Sequence, residues 1–161
     1  MKIKDEKTNV MRILDQKKIK YKSYNYLGTG AISGMEVVEA LDENPNLTFK
    51  TLVTVGKTNN HYVFLVPVSK ELDLKKAAQA VNEKSVEMVK SKELLSLTGY
   101  IHGGCSPIGM KKSFKTVIDS SAKGYDRLIF SGGKIGYQVE TTLDELKKVI
   151  KFDLVNITSS S

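Results

Sequence analysis

Cysteine is almost absent from this chain, since Cys105 is the only one in 161 residues. A single cysteine cannot form an internal disulfide, so an apolar core has to hold the fold, and such scarcity is typical of a reducing compartment. No apolar run approaches the roughly 20 residues of a membrane-spanning helix. The charged start, Met1 to Lys7, is not followed by the hydrophobic region of a secretory signal. We therefore expect a soluble, cytoplasmic protein.

Histidine is nearly as scarce, with only His61 and His102. One cysteine and two dispersed histidines fall short of the ligand spacing of a zinc site, and no GxGxxG or Walker loop is present. We expect no metal and no cofactor. Cys105 lies three residues after His102, but a nucleophilic cysteine needs a base that faces it and a lowered pKa. The sequence does not favour Cys–His catalysis.

Negative charge is outweighed by positive charge, with a formal net charge of +7 and a pI near 9.3. A basic balance is typical of proteins that bind an anionic partner such as nucleic acid. The lysines are nevertheless dispersed, mostly on predicted helix faces, and mild basicity is also common in lysine-rich proteomes. Charge alone leaves both interpretations open.

Secondary structure follows from apolar periodicity, helix caps and turn residues. Strands outnumber helices, and hairpins are mixed with helical crossovers, which favours one compact α/β domain with a mixed, curved or barrel-like sheet. The predicted helices are Thr8–Lys18, Ser33–Leu41, Leu74–Val81, Ser91–Leu97 and Leu143–Ile150. The predicted strands are Tyr21–Tyr26, Thr48–Val55, His61–Val68, Ser85–Val89, Thr116–Asp119, Leu128–Phe130, Ile135–Glu140 and Leu154–Ile157.

The most informative segment is the glycine-rich loop from Thr98 to Lys112, which contains the only cysteine and one of the two histidines. Glycine lets the backbone adopt positive φ and lets a ligand approach the main chain closely. Proline restricts its own φ and the residue before it, so Ser106 and Pro107 hold the turn in shape. Such a loop can present N–H groups to an anionic or carbonyl ligand.

Lys50 is the most unusual residue of a predicted strand. Alternation places it on the same face as Thr48, Leu52 and Thr54. Its side chain either points outward into solvent, as most lysines do, or points into a cleft where the ammonium binds a carbonyl, carboxylate or phosphate. The strand pattern alone leaves both orientations open.

A second glycine turn, Ser131-Gly-Gly-Lys134, joins two predicted strands. A tight hairpin explains it from local sequence. Together with Gly103 and Gly104, it could also line one pocket with backbone donors and a serine hydroxyl, as in an oxyanion clamp. Tyr26 and Tyr100 fit either the core or a pocket wall.

Four segments occur in the order and spacing of the YbaK/EbsC family, which the chain resembles over nearly its whole length. They are Phe49–Leu52, Leu72–Ala78, Thr98–Lys112 and Ser131–Lys134. The resemblance implies a mixed α/β domain around a six-stranded barrel-like sheet, here residues 1–158 followed by a short polar tail, 159–161. It implies a free-standing relative of the editing domain of prolyl-tRNA synthetases, which removes cysteine from mischarged Cys-tRNA(Pro).

The same resemblance implies roles for particular residues. It makes Lys50 the catalytic residue in a cleft, and it assigns substrate binding to Tyr26, Gly103, Gly104, Ser131 and Gly133. The nucleophile would be the thiol of the substrate's own cysteine, so no cofactor is needed. The implied partners are tRNA(Pro) and prolyl-tRNA synthetase.

Two positions depart from the family pattern. Gln138 stands where some members carry an acidic residue, and Cys105 stands where some carry an aliphatic one, which argues against a required thiol. Both leave the amino-acid preference open. The alternatives are a deacylase for Ala-tRNA(Pro) or another small aminoacyl-tRNA, and a non-catalytic module that binds tRNA or a synthetase.

Overall fold

The computed structural model describes residues 6–159. The predicted polar tail, 159–161, lies outside these residues apart from Ser159. Within 6–159 no helix has the length and apolar character needed to cross a membrane. The helices are α1 (Asn9–Gln16), α2 (Gly34–Leu41), α3 (Leu74–Ala80), α4 (Ser91–Thr98) and α5 (Leu143–Leu146). The strands are β1 (Lys22–Asn25), β2 (Phe49–Gly56), β3 (His61–Pro67), β4 (Val86–Met88), β5 (Lys115–Asp119), β6 (Leu128–Ser131), β7 (Tyr137–Thr141) and β8 (Asp153–Val155).

The described strands form two sheets joined at one point. One sheet has the order β4-β2-β3-β5-β8 and mixes antiparallel with parallel pairs, whereas the other is antiparallel with the order β1-β7-β6. A parallel bridge pairs Thr48 with Ile129, and the Ile129 N–H donates to Leu47 O at 2.9 Å. The predicted mixed α/β class is confirmed, although eight strands in two sheets replace the six that the family resemblance implies.

The core lies on both faces of the five-stranded sheet. Along β3, Val63 and Leu65 belong to the larger apolar cluster, whereas Phe64 and Val66 belong to the smaller one on the opposite face, beneath α3. This alternation follows from the period of two along a strand. The unbroken apolar run of β3 is therefore explained by burial on both sides.

Most elements begin within one residue of the predicted position, whereas some of their ends differ by more. Helix α5 ends at Leu146, and the chain continues in turns in which the Lys148 N–H donates to Glu145 O. Strand β1 ends before Tyr26, because the Asn25 side chain accepts the Leu27 N–H at 2.9 Å and starts a 3-10 turn. Strand β7 begins at Tyr137 rather than Ile135, because the connection before it includes glycines with positive φ.

The helix caps that the sequence predicts are present. The Asp73 carboxylate accepts hydrogen bonds from the N–H groups of Lys75 and Lys76 at the start of α3, at 3.0 and 3.1 Å. Ser33 and Glu36 form a reciprocal capping box at the start of α2. These bonds satisfy N–H groups that have no partner within their helix.

We predict that Asp73→Ala lowers the free energy of unfolding by about 1 kcal/mol, because it leaves N–H groups of the first turn of α3 uncapped. Urea unfolding measures this as a lower midpoint with an unchanged slope. Asp126→Ala is the control, since Asp126 is exposed and makes only a surface ion pair with Arg127 at 3.6 Å. Equal midpoints for the two variants would contradict the prediction.

Candidate active site

One row of residues crosses both sheets on a single face. In the three-stranded sheet, Gln138 is directly opposite Tyr24 on one side and Ser131 on the other. Ser131 and Lys50 each lie two residues beyond the parallel bridge between the sheets. Because side chains two residues apart share a face, Lys50 and Ser131 extend from the bridge on the same side.

Lys50 is neither buried nor fully exposed. Its side chain is 30% exposed, and its Nζ lies 3.5 Å from the Glu71 carboxylate, which is 84% exposed. An ion pair with so exposed a partner contributes little energy. The predicted face is confirmed, because Leu52 packs with the smaller cluster while Phe49 and Val53 pack with the larger one. The Lys50 ammonium is therefore free to exchange Glu71 for another anion.

The two glycine segments lie against each other. A Cβ on Gly104 would lie 3.0 Å from the backbone N of Ile135, and one on Gly103 would lie 3.5 Å from the Ile135 side chain. Gly133 has a φ of +90°, and a Cβ there would lie 2.6 Å from the Val10 side chain. Close packing favours glycine at Gly104 and Gly133, and Gly103 has a positive φ of +89° that also favours glycine. The structure therefore brings together Gly103, Gly104 and the turn after Ser131.

The N–H groups of this region are not equally available. The Gly104 N–H donates to Ile101 O at 3.0 Å, and the Gly133 N–H donates to Ser131 Oγ at 3.1 Å. Among the described residues, the Gly103 N–H has no hydrogen-bond partner. Ser131 accepts a bond, so its hydroxyl proton can still be donated. Gly103 and Ser131 are therefore available as donors, whereas the Gly104 N–H is already bonded.

The sequence did not decide whether Tyr26 and Tyr100 lie in the core or in a pocket wall, and the structure gives them different surroundings. Tyr100 belongs to the larger core cluster, and its hydroxyl donates to Ile108 O, which makes it a core residue. Tyr26 is also buried, but its N–H donates to Gly136 O at 2.8 Å. Tyr26 is thus attached to the same connection that Gly103 and Gly104 contact.

Cys105 is buried among core side chains and lies near the Thr98 hydroxyl. Burial raises the pKa of its thiol to about 12, although Thr98 opposes this rise. His102, in contrast, is exposed. A thiol that remains protonated at neutral pH is not a nucleophile. Within 6–159, no three His, Cys, Asp or Glu side chains are grouped so as to hold a metal ion.

Glu43 is a residue that sequence reasoning missed, since a carboxylate in a loop before a proline carries no signal. It follows α2, is half-buried, and lies 2.5 Å from the Gln138 amide nitrogen when that amide is oriented toward it. Burial raises its pKa to about 7, although the Gln138 amide and the nearby Thr48 hydroxyl act to lower it. The Glu140 carboxylate adds a smaller upward effect. Its partners place Glu43 beside the row that contains Lys50 and Ser131.

The model of the aminoacyl-tRNA editing domain matches residues 31–149, which is more than half of the chain. The chain therefore belongs to the aminoacyl-tRNA editing domain family. It is similar to the candidate Cys-tRNA(Pro)/Cys-tRNA(Cys) deacylase EbsC of Enterococcus faecalis, with 42% identity over 155 residues that cover 96% of this chain and 94% of that protein. The resemblance to the YbaK/EbsC family is thus confirmed.

Solved structures show the same fold. A crystal structure of a candidate trans-editing enzyme for prolyl-tRNA synthetase has a TM-score of 0.80 and 22% identity, and the match covers 95% of this chain and 99% of that one. A crystal structure of a hypothetical protein has a TM-score of 0.81 and 18% identity, covering 93% and 99%. At these identities the similarity defines the fold alone.

We predict that iodoacetamide labels Cys105 of the folded protein at pH 8 more than about 100 times slower than in denaturant, because a buried thiol is both protonated and inaccessible. Mass spectrometry of timed samples measures the two rates. A free cysteine in a short peptide of the same local sequence is the control for intrinsic reactivity. Fast labelling of the folded protein would contradict the assignment of Cys105 to the core.

We also predict a pH-dependent effect of Glu43→Gln on stability. The pKa of Glu43 rises from an ordinary 4.5 to about 7 on folding, so the folded state binds the proton more tightly and loses stability as pH rises from about 4.5 through 7. Glu43→Gln removes this charge. It should therefore raise the free energy of unfolding, relative to wild type, more at pH 8 than at pH 5, by at most about 3 kcal/mol.

Urea unfolding at both pH values measures the difference. The charged and titratable groups nearby, namely Glu140, Tyr24 and Arg127, are unchanged in this comparison. Glu39→Gln, on the exposed face of α2, is the control and should show no such dependence. A gain from Glu43→Gln that is the same at pH 5 and pH 8 would contradict the raised pKa.

Proposed function

We propose that this protein is a trans-editing deacylase that removes cysteine from mischarged Cys-tRNA(Pro) in the cytoplasm. The observation that carries the proposal is the 42% identity to EbsC across 96% of the chain. The geometry supports it as well. Lys50 and Ser131 extend from the junction of the two sheets on one side, and the glycine loop lies against the second glycine turn, so these groups can surround an ester carbonyl.

The proposed chemistry needs fixed donors and no nucleophile from the protein. The substrate's thiol sulfur attacks its own carbonyl carbon, the C–O bond to the tRNA ribose breaks, and the thiol proton ends on the leaving 3′ or 2′ oxygen. The products are free tRNA and a cyclic thioester, which water then hydrolyses to cysteine. This route agrees with a Cys105 thiol that stays protonated and buried.

Lys50 has the central role in this proposal. Negative charge develops on the carbonyl oxygen as sulfur attacks, and a cation placed beforehand stabilises that charge without reorganising during the reaction. Lys50 supplies the cation once the substrate displaces exposed Glu71. The Ser131 hydroxyl and Gly103 N–H supply hydrogen bonds, and Tyr26, Gly104 and Gly133 shape the pocket that orients the ester.

We propose that selection of the correct tRNA depends on a partner protein, prolyl-tRNA synthetase. The chain has dispersed lysines, and contacts of that kind with phosphates give salt-sensitive binding with little sequence selectivity. Binding in the pocket discriminates similarly little between cysteine and alanine, since a small difference in side-chain size is worth about 1–3 kcal/mol. The proposed chemistry adds selectivity, because only the cysteine ester carries the thiol that attacks its own carbonyl.

We predict that Lys50→Ala lowers the deacylation rate of Cys-tRNA(Pro) by about 100-fold or more while the protein stays folded, because the developing oxyanion loses its cation. Lys57→Ala is the matched control, since Lys57 is an exposed lysine in the turn after the same strand. Release of labelled cysteine from Cys-tRNA(Pro) measures the rate, and circular dichroism checks the fold.

The same assay with Ala-tRNA(Pro) and Pro-tRNA(Pro) tests the alternatives. If Ala-tRNA(Pro) is turned over faster than Cys-tRNA(Pro), alanine rather than cysteine is the amino acid that the protein removes. No turnover of any of the three by the folded wild type would overturn the deacylase proposal and favour a non-catalytic binding module. A fully active, folded Lys50→Ala variant would overturn the role of Lys50 alone.

A further inference from the structure

The Glu43 carboxylate has no cation in its surroundings. Within 6–159, no Lys, Arg or His nitrogen lies within ion-pairing distance of it. Its hydrogen-bond partner is the Gln138 amide, and the nearby Thr48 hydroxyl donates to Asn44 O at 3.0 Å. The neighbouring Glu140 is different, because it pairs with Arg127 at 3.3 Å and accepts a bond from the Tyr24 hydroxyl at 3.0 Å. A half-buried carboxylate without a cation is costly to keep charged, so a bound cation would satisfy it.

The position of Glu43 is fixed by the end of helix α2. Asp42 adopts the left-handed conformation with a φ of +54°, and the Glu43 N–H donates to Val38 O at 2.9 Å. This is the arrangement that commonly closes a helix C-terminus. The carboxylate is therefore presented by a defined turn, against Gln138 of β7 and near Thr48, the residue before β2.

Glu43 and Lys50 are close to each other but do not form an ion pair. Thr48, which is near Glu43, and Lys50 are two residues apart, which is about 7 Å along a strand. Lys50 instead contacts Glu71. The site therefore keeps one negative and one positive group a short distance apart, each open to an external partner.

An aminoacyl ester has the complementary pattern, because its ammonium and its carbonyl are on neighbouring carbon atoms. A divalent metal is a poorer match, since it needs more oxygen ligands than this position offers, and no three metal-binding side chains are grouped within 6–159. A primary ammonium needs only one carboxylate and a few hydrogen-bond acceptors.

We propose that Glu43, held by Gln138, forms a binding subsite for the primary α-ammonium group of the aminoacyl ester whose carbonyl faces Lys50. The subsite rests on the proposed deacylase function. It anchors the ester at a second point and so fixes the carbonyl in relation to Lys50 and Ser131. Glu43 is thus a substrate-binding residue that recognises the amino group rather than the side chain of the amino acid.

The test compares Cys-tRNA(Pro) with N-acetyl-Cys-tRNA(Pro), which lacks the ammonium charge, in the wild type and in Glu43→Gln. The glutamine variant is isosteric and keeps hydrogen bonding to Gln138. We expect it to lower kcat/KM for Cys-tRNA(Pro) by about 10- to 100-fold, as for loss of a charge-assisted hydrogen bond. Its effect on the N-acetyl substrate should stay within about threefold.

The ratio of the two effects isolates the contact between Glu43 and the ammonium, because any steric or chemical effect of the acetyl group is common to both proteins. Glu39→Gln is the matched control and should change neither substrate. If Glu43→Gln slows both substrates equally, or slows neither, the ammonium subsite is overturned while the deacylase function stands.

A binding measurement separates this inference from catalysis. The probe is an amide-linked cysteinyl-adenosine, which cannot be deacylated, with and without an N-acetyl group. Titration calorimetry should show that wild-type protein prefers the free amine by about tenfold or more and that Glu43→Gln loses this preference. An equal preference in both proteins would overturn the subsite, even if wild-type turnover of Cys-tRNA(Pro) were absent.

Discussion

The parallel bridge between Thr48 and Ile129 is the contact on which the rest of this structure depends. It joins a five-stranded sheet to a three-stranded one through a few backbone atoms, including the 2.9 Å bond from the Ile129 N–H to Leu47 O. Because strand side chains alternate, this pairing sets the register between the two sheets. A slip of one residue would move Lys50 to the opposite face from Ser131.

Close packing of glycine backbones is the second constraint. The Gly103–Gly104 segment lies against Lys134 and Ile135 so closely that a Cβ on Gly104 would clash with main-chain atoms, which cannot move aside as a side chain can. The loop leaves the Gly103 N–H available, whereas the Gly104 N–H donates to Ile101 O. Backbone donors held in this way are already oriented before a ligand arrives, which is the arrangement that stabilises a developing charge.

Electrostatics divide the site into groups that can react and groups that cannot. The Cys105 thiol is kept neutral by burial, so the only cysteine of the chain takes no part in the proposed chemistry. Two charged groups remain for the proposed chemistry, the ammonium of Lys50, which contacts only an exposed carboxylate, and the carboxylate of Glu43, which has no ion-pair partner within 6–159. A site of this kind binds and orients a reactive substrate, and in the proposed mechanism the substrate supplies its own nucleophile.

The sequence by itself determined the positions of the helices and strands, the caps at Ser33 and Asp73, and the face of β2 on which Lys50 lies. These features depend on neighbours within a few residues, through strand alternation and helix-end hydrogen bonds. The tertiary structure alone decided that Gln138 meets Glu43 across 95 positions of the chain, that the Gly104 N–H is already bonded, and that Tyr100 belongs to the core. Sheet register and burial set those outcomes, and neither is encoded in any short stretch of residues.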